Sequence, residues 1–160
     1  MNIFRKKKMK NIFIIGCSRF GAMLADTFCQ QDYPVTVLDH DENAFSKLPY
    51  SFCGLKQCAE AADLEDLQEA KIDQADEVYV LTKDDCTNML CALMIHFHFP
   101  DKRILVRLND SSRQMALYNT TIEAICPDEI CLEKSTLMTR INSEILSASP
   151  AETEKRRMRV

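Results

Sequence analysis

The residues of this chain whose types and spacing fit a chemical task are two glycines, a serine and an aspartate. Gly16 and Gly21 take the first and third positions of a Gly-x-Gly-x-x-Gly spacing, with Ser18 at the second and Arg19 and Phe20 just before Gly21. The apolar run Ile12-Phe13-Ile14-Ile15 leads into Gly16, and a helical pattern starts after it. Asp39 lies eighteen residues beyond Gly21 and ends a second apolar run, Val35-Thr36-Val37-Leu38. The task these residues fit is binding. Gly16 permits a tight turn, and Gly21 lets a helix pack closely on a strand. The N–H groups at the start of that helix attract phosphate. Asp39 can accept hydrogen bonds from ribose hydroxyls, although capping the next helix is its alternative role. Strand, turn, helix, strand and acid in this order are the layout of a dinucleotide-binding βαβ unit.

Groups that would make or break bonds are missing. The sequence shows no candidate triad, no paired carboxylates with a nucleophile, and no metal set. Eight cysteines fall at 17, 29, 53, 58, 86, 91, 126 and 131; three pairs are five apart and none is Cys-x-x-Cys. Most lie in apolar segments, where a reduced cysteine serves as a small hydrophobe, so buried free thiols are expected. His40, His96 and His98 do not pair with cysteines at zinc spacing. A dehydrogenase needs a proton donor and a substrate site, usually from a further domain, for which 160 residues leave no room. A nucleotide-binding module without catalysis fits better. A small NAD-dependent oxidoreductase or a fragment of one is the alternative, and an interaction module without a ligand is the third reading.

The elements that must position these residues follow from periodicity. After a basic lead at 1–9, residues 10–15 read as a buried parallel strand. Phe20, Leu24 and Phe28 recur every four residues, a helix face that Asp32-Tyr33-Pro34 ends. A second strand covers 34–39, and Asp41 caps a short helix through Lys47. A third strand is expected from Tyr50 to Gly54, and a helix from Ala61 to Ala70. Glu77 to Leu81 is a fourth strand, ending at Thr82. Asp84 or Asp85 caps a long helix over about 85–99. Arg103 to Arg107 is a fifth strand, Ser111 to Asn119 a helix capped by Ser111, and Ile122 to Cys126 a sixth strand. A last helix runs from Pro127 to about Leu146, before a polar tail at 147–160. Such alternation predicts an α/β fold of three αβα layers. It is Rossmann-type and doubly wound, with a mainly parallel six-stranded sheet in the order 3-2-1-4-5-6. The crevice lies at the carboxyl ends of the first and fourth strands, near Asp39, Thr82 and Arg107.

Bulk properties exclude other classes. A net charge of −4 argues against a general nucleic-acid binder. The longest strongly apolar run, Met89 to Ile95, is too short to span a bilayer. No signal-peptide core follows the basic start, so a cytoplasmic protein is expected.

Beyond the turn, the residues resemble a known family. Gly16-Cys17-Ser18-Arg19-Phe20-Gly21 resembles the Gly-x-Gly-Arg-Phe-Gly turn of the TrkA-N domain, also called RCK, regulator of potassium conductance. The segment Ala59-Glu60-Ala61-Ala62-Asp63 through Leu67-Gln68-Glu69-Ala70-Lys71-Ile72 is similar to the family's Gly-Asp-Ala-Thr to Leu-x-x-Ala-Gly-Ile stretch. Ala75-Asp76, then Thr82, Asp85 and Asn88, resemble its fourth strand and following helix, and Leu105-Val106-Arg107 and Cys126-Pro127 fall in place. The likeness covers about residues 10–146.

The resemblance implies a cytosolic regulatory subunit or domain of a potassium channel or uptake transporter, held at the inner face of the membrane by its partner. It implies NAD(H) or ATP/ADP as ligand, with AMP a further option. It also implies a homodimer, with ring assembly beyond it. By position, Gly16, Ser18, Arg19, Phe20 and Gly21 form the phosphate turn, Asp39 binds ribose, Glu60 lies near the adenine, and Thr82 and Arg107 lie near the phosphates. On residue type alone, Glu60 also reads as a loop charge and Thr82 as a strand end, while Arg107 reads first as a surface ion-pair partner and Asn88 as a helix-start residue. The last helix, 128–146, becomes a dimer crossover, with Ile130, Leu137, Ile141 and Ile145 on one face. The chain departs from the family pattern at Ser18 (for glycine), Ala59-Glu60 (for Gly-Asp), Lys71 (for glycine) and Cys86 (for an acid). The smaller second lobe of many members does not follow.

Overall fold

The computed structural model describes residues 9–147, with side chains as far as Arg140. The basic lead up to residue 8 and the tail from 148 lie outside the described residues, as do the side chains of Ile141 and Ile145. The chain divides into two compact units, one ending at Ile125 and one starting at Cys126.

The first unit is built on a sheet of six parallel strands in the order β3-β2-β1-β4-β5-β6. The strands are β1 (Ile12–Ile15), β2 (Val35–Asp39), β3 (Leu55–Cys58), β4 (Glu77–Val80), β5 (Arg103–Arg107) and β6 (Glu123–Ile125). Its helices are α1 (Arg19–Gln30), α2 (Leu64–Glu69) and α3 (Asp85–His98), and 3-10 segments cover Glu42–Lys47, Ile72–Gln74 and Ser111–Leu117. The doubly wound order expected from the alternation is present. All four β1 residues are buried, because β1 lies between β2 and β4 and is covered on both faces. Ile12 and Ile14 pack with Ala22 and Ala25 of α1 and with Val35 and Val37 of β2. The second unit contains α4 (Pro127–Ser147).

Several boundaries differ from the sequence expectation. The third strand lies at Leu55–Cys58, not Tyr50–Gly54. Residues 49–52 instead close a turn, with the Phe52 N–H donating to the Pro49 carbonyl at 3.0 Å. As an edge strand β3 is largely exposed, so it lacks the apolar run of a buried strand. The helix expected over Ala61–Ala70 starts only at Leu64, because Asp63 caps it by accepting from the N–H groups of Glu65 and Asp66 at 2.8 and 3.3 Å. The Ser111–Asn119 helix is a 3-10 segment ending at Leu117, and its cap is Asp110 rather than Ser111. Of the two candidate caps for α3, Asp84 serves, accepting from the Thr87 N–H at 2.7 Å. The cysteines divide evenly rather than being mostly buried: Cys17, Cys29, Cys91 and Cys126 are buried, while Cys53, Cys58, Cys86 and Cys131 are exposed. No helix among the described residues is long and apolar enough to cross a membrane.

Candidate functional site

A cleft of about 320 Å³ opens at the carboxyl end of the sheet, where the chain turns away from β1, β2, β3 and β4. Gly16 forms its floor with φ +100°, and a Cβ there would stand 2.7 Å from the Thr82 nitrogen. Only glycine lets the β1 turn approach the end of β4 so closely. A Cβ on Gly21 would lie 2.2 Å from the Gly16 carbonyl oxygen, so the second glycine sets α1 directly on the turn. Ser18 is the N-cap of α1, its Oγ accepting from the Gly21 N–H at 3.2 Å. The donors of Arg19 and Phe20 fall in the first helical turn, where no carbonyl of the helix can reach them. Both side chains are exposed on α1.

Asp39 is pre-oriented. Its Oδ2 accepts from the Cys17 N–H at 2.6 Å, its Oδ1 from the Asp41 N–H at 3.0 Å, and His40 Nδ1 stands 3.5 Å from Oδ1. A carboxylate offers about four lone-pair sites, so two bonds leave acceptors for a diol. Asp39 does not cap the following 3-10 segment; Asp41 does, accepting from the Asn43 N–H.

The opposite wall is braced by α3. Fully buried Asn88 accepts on Oδ1 from the Thr82 N–H (2.9 Å) and hydroxyl (2.5 Å). Its Nδ2 donates to the carbonyls of Thr82 (3.2 Å) and Arg107 (2.9 Å). Asn88 therefore staples the ends of β4 and β5 together, more than a helix-start residue would. Asp85, also buried, accepts from the Asn109 and Asp110 N–H groups at 2.9 Å each and from Asn109 Nδ2 at 2.8 Å. Burial pushes its carboxyl up, but these donors and the nearby Arg113 guanidinium outweigh it and hold the group below the usual carboxylate range.

Gly16, Ser18, Asp39, Glu60 and Thr82 line one cleft; Arg19, Phe20, Gly21 and Arg107 stand outside its lining. Arg107 has no carboxylate at ion-pair distance among the described residues, so the ion-pair reading is corrected. Its Nη2 donates to Asn109 Oδ1 at 3.0 Å, while its buried Nε has no partner. Sequence reasoning missed His40, Lys47, Lys83 and Thr87 in the lining. His40 and Lys83 directly follow Asp39 and Thr82, and the rule that ligands sit beyond strand carboxyl ends would have found them. Among the described residues no group of three or more His, Cys, Asp or Glu side chains could hold a metal ion.

The TrkA-N domain family matches residues 12–127. This chain belongs to the TrkA-N domain family. The TrkA-N chain is 31% identical over 103 residues to the Trk system potassium uptake protein TrkA of Streptomyces coelicolor, covering 64% of itself and 46% of that protein. Among solved structures it is similar to the GsuK RCK domain, with 25% identity and a TM-score of 0.69 over 86% of this chain and 30% of that one. A structure of GsuK bound to ADP matches with 25% identity and a TM-score of 0.64 over 76% and 31% of the two chains. The TrkA-N chain spans between 31% and 54% of the curated relatives it matches.

Proposed function

We propose that this TrkA-N domain is a cytosolic nucleotide-binding regulator of a potassium uptake transporter or channel. One observation carries the reading: the Asp39 carboxylate is fixed beside the N-terminus of α1 by the Cys17 N–H, across a turn too tight for any Cβ. That cradle suits the ribose and phosphate of an adenine nucleotide. Asp39 holds the ribose hydroxyls, the first turn of α1 with Ser18 and Arg19 meets the phosphates, and Glu60 lies toward the adenine. Thr82 and Arg107 act at the far side of the phosphates, tied to each other through Asn88. The ADP bound by GsuK and the potassium uptake role of TrkA support the ligand class and the partner class. NAD(H), ATP, ADP and AMP share the group the cradle would grip. NADP does not fit, because Asp39 would face its 2′-phosphate.

The regulator works as a homodimer, with α4 crossing into a second copy and passing nucleotide state to the membrane partner. A thermal-shift panel of NAD, NADH, ATP, ADP, AMP and NADP tests the reading. Stabilisation by at least one nucleotide with a free 2′-hydroxyl, and less by NADP, is expected. No shift with any of them overturns it.

A further inference from the structure

We propose that Cys29 and Cys53 form an oxidisable dithiol, which a hydroperoxide closes to a disulfide at the end of the sheet remote from the cleft. Cys29 lies in the last turn of α1 and is 9% exposed, within the cluster that holds Val35 at the start of β2. Cys53 is exposed and free, in the loop entering β3. Two contacts hold that loop in place. Phe52 packs against the cluster that buries Cys29, and Gly54 sits where a Cβ would stand 2.5 Å from the Val35 carbonyl oxygen. Cys53, between these two anchored residues, is therefore held beside the cluster that contains Cys29, and its thiol is the neighbouring group that acts on the Cys29 thiol. Burial, then the neighbouring Cys53 thiol, push the Cys29 thiol up to about 11. Cys29 therefore keeps its proton until it passes to the departing sulfenic hydroxyl, and exposed Cys53 meets the oxidant first.

The chemistry balances. The Cys53 sulfur attacks the O–O bond, taking up one oxygen as sulfenic acid while the other leaves as alcohol or water. The Cys29 sulfur then displaces the sulfenic hydroxyl as water and forms the S–S bond. Two electrons pass from the two sulfurs to the peroxide, and both thiol protons end on the released alcohol and water. The new bond ties α1 to the β3 segment, a link that removes freedom from the unfolded chain.

The reduced chain of 160 residues, treated with hydrogen peroxide under native conditions and digested without reductant, provides the test. The dominant cross-link should join the peptides carrying Cys29 and Cys53, disappear on reduction, and be lost in Cys53→Ser. Oxidation should also raise the thermal midpoint of the wild type but not of Cys53→Ser. In Cys29→Ser, Cys53 should persist as a sulfenic acid trappable by dimedone. The proposal is overturned if wild-type Cys53 accumulates as much trappable sulfenic acid as in Cys29→Ser. It is equally overturned if Cys53 pairs mainly with another cysteine, such as Cys58 or Cys86.

Discussion

Lys71 occupies φ 61°, ψ 42°, a left-handed conformation that costs a side-chain-bearing residue about 1–2 kcal/mol. It stands where the family pattern has glycine, so the strain shows why glycine is favoured there. Lys71→Gly should raise stability by about 0.5–1 kcal/mol in urea unfolding, part of the relief being offset by a freer unfolded chain. An unchanged midpoint would show the strain to be negligible. Ser18 is a different case, because its extended backbone suits any residue and its hydroxyl caps α1. Ser18→Gly should lower stability by only a few tenths of a kcal/mol, whereas Ser18→Ala should cost about 1. The glycine variant should also bind nucleotide more tightly, since the turn then admits pyrophosphate without a side chain. Weaker binding by titration would instead make the serine hydroxyl a ligand donor. Asp39→Ala should weaken nucleotide binding by about 1–3 kcal/mol, the size of a hydrogen bond to a charged group. Calorimetry giving equal affinity to variant and wild type would remove Asp39 from the ribose site.

The start of α3 braces the cleft to which it also lends Thr87. Asp85 accepts three backbone or amide donors from the loop after β5. Its folded carboxyl titrates below its unfolded value, so its contribution is present at neutral pH and lost as pH falls. Asp85→Asn should be less stable than wild type by about 1–3 kcal/mol at pH 7. The gap should narrow below about pH 4, where the unfolded carboxyl takes up its proton. Denaturant midpoints differing equally at both pH values would contradict this. Legibility followed the physics of each element. Gly16, Gly21 and Asp39 were readable because their spacing expresses local backbone geometry. The buried strands β1, β2 and β4 were readable because burial on both faces makes them mostly apolar, without polar alternation. Edge strand β3 was misplaced because its largely exposed Leu55-Lys56-Gln57-Cys58 carries no such run. The roles of Asn88 and Asp85 were hidden, since their partners Thr82, Arg107, Asn109 and Asp110 meet them only through tertiary contact.

At the scale of the molecule, α4 (Pro127–Ser147) sets the assembly prediction. Ile130 and Leu137 stand one heptad apart, so they share a helix face. Replacing both with Glu should give a monomer in light scattering that still shifts with nucleotide. A wild-type monomer at high micromolar concentration would remove the dimer. The sheet order has a separate consequence for how the chain is made. β1 pairs with β2 on one side and, across a long stretch of sequence, with β4 on the other, where Ile12 meets Glu77. Such distant pairings form late, and synthesis delivers β1, α1 and β2 well before β4. Until then the nascent chain carries four apolar residues with an unpaired backbone edge, open to the wrong neighbour. A chain stopped at Asp76 should therefore self-associate in light scattering, and a soluble monomer would argue otherwise. Because Gly16 closes against Thr82, the cleft comes into being only when the ribosome has passed Thr82.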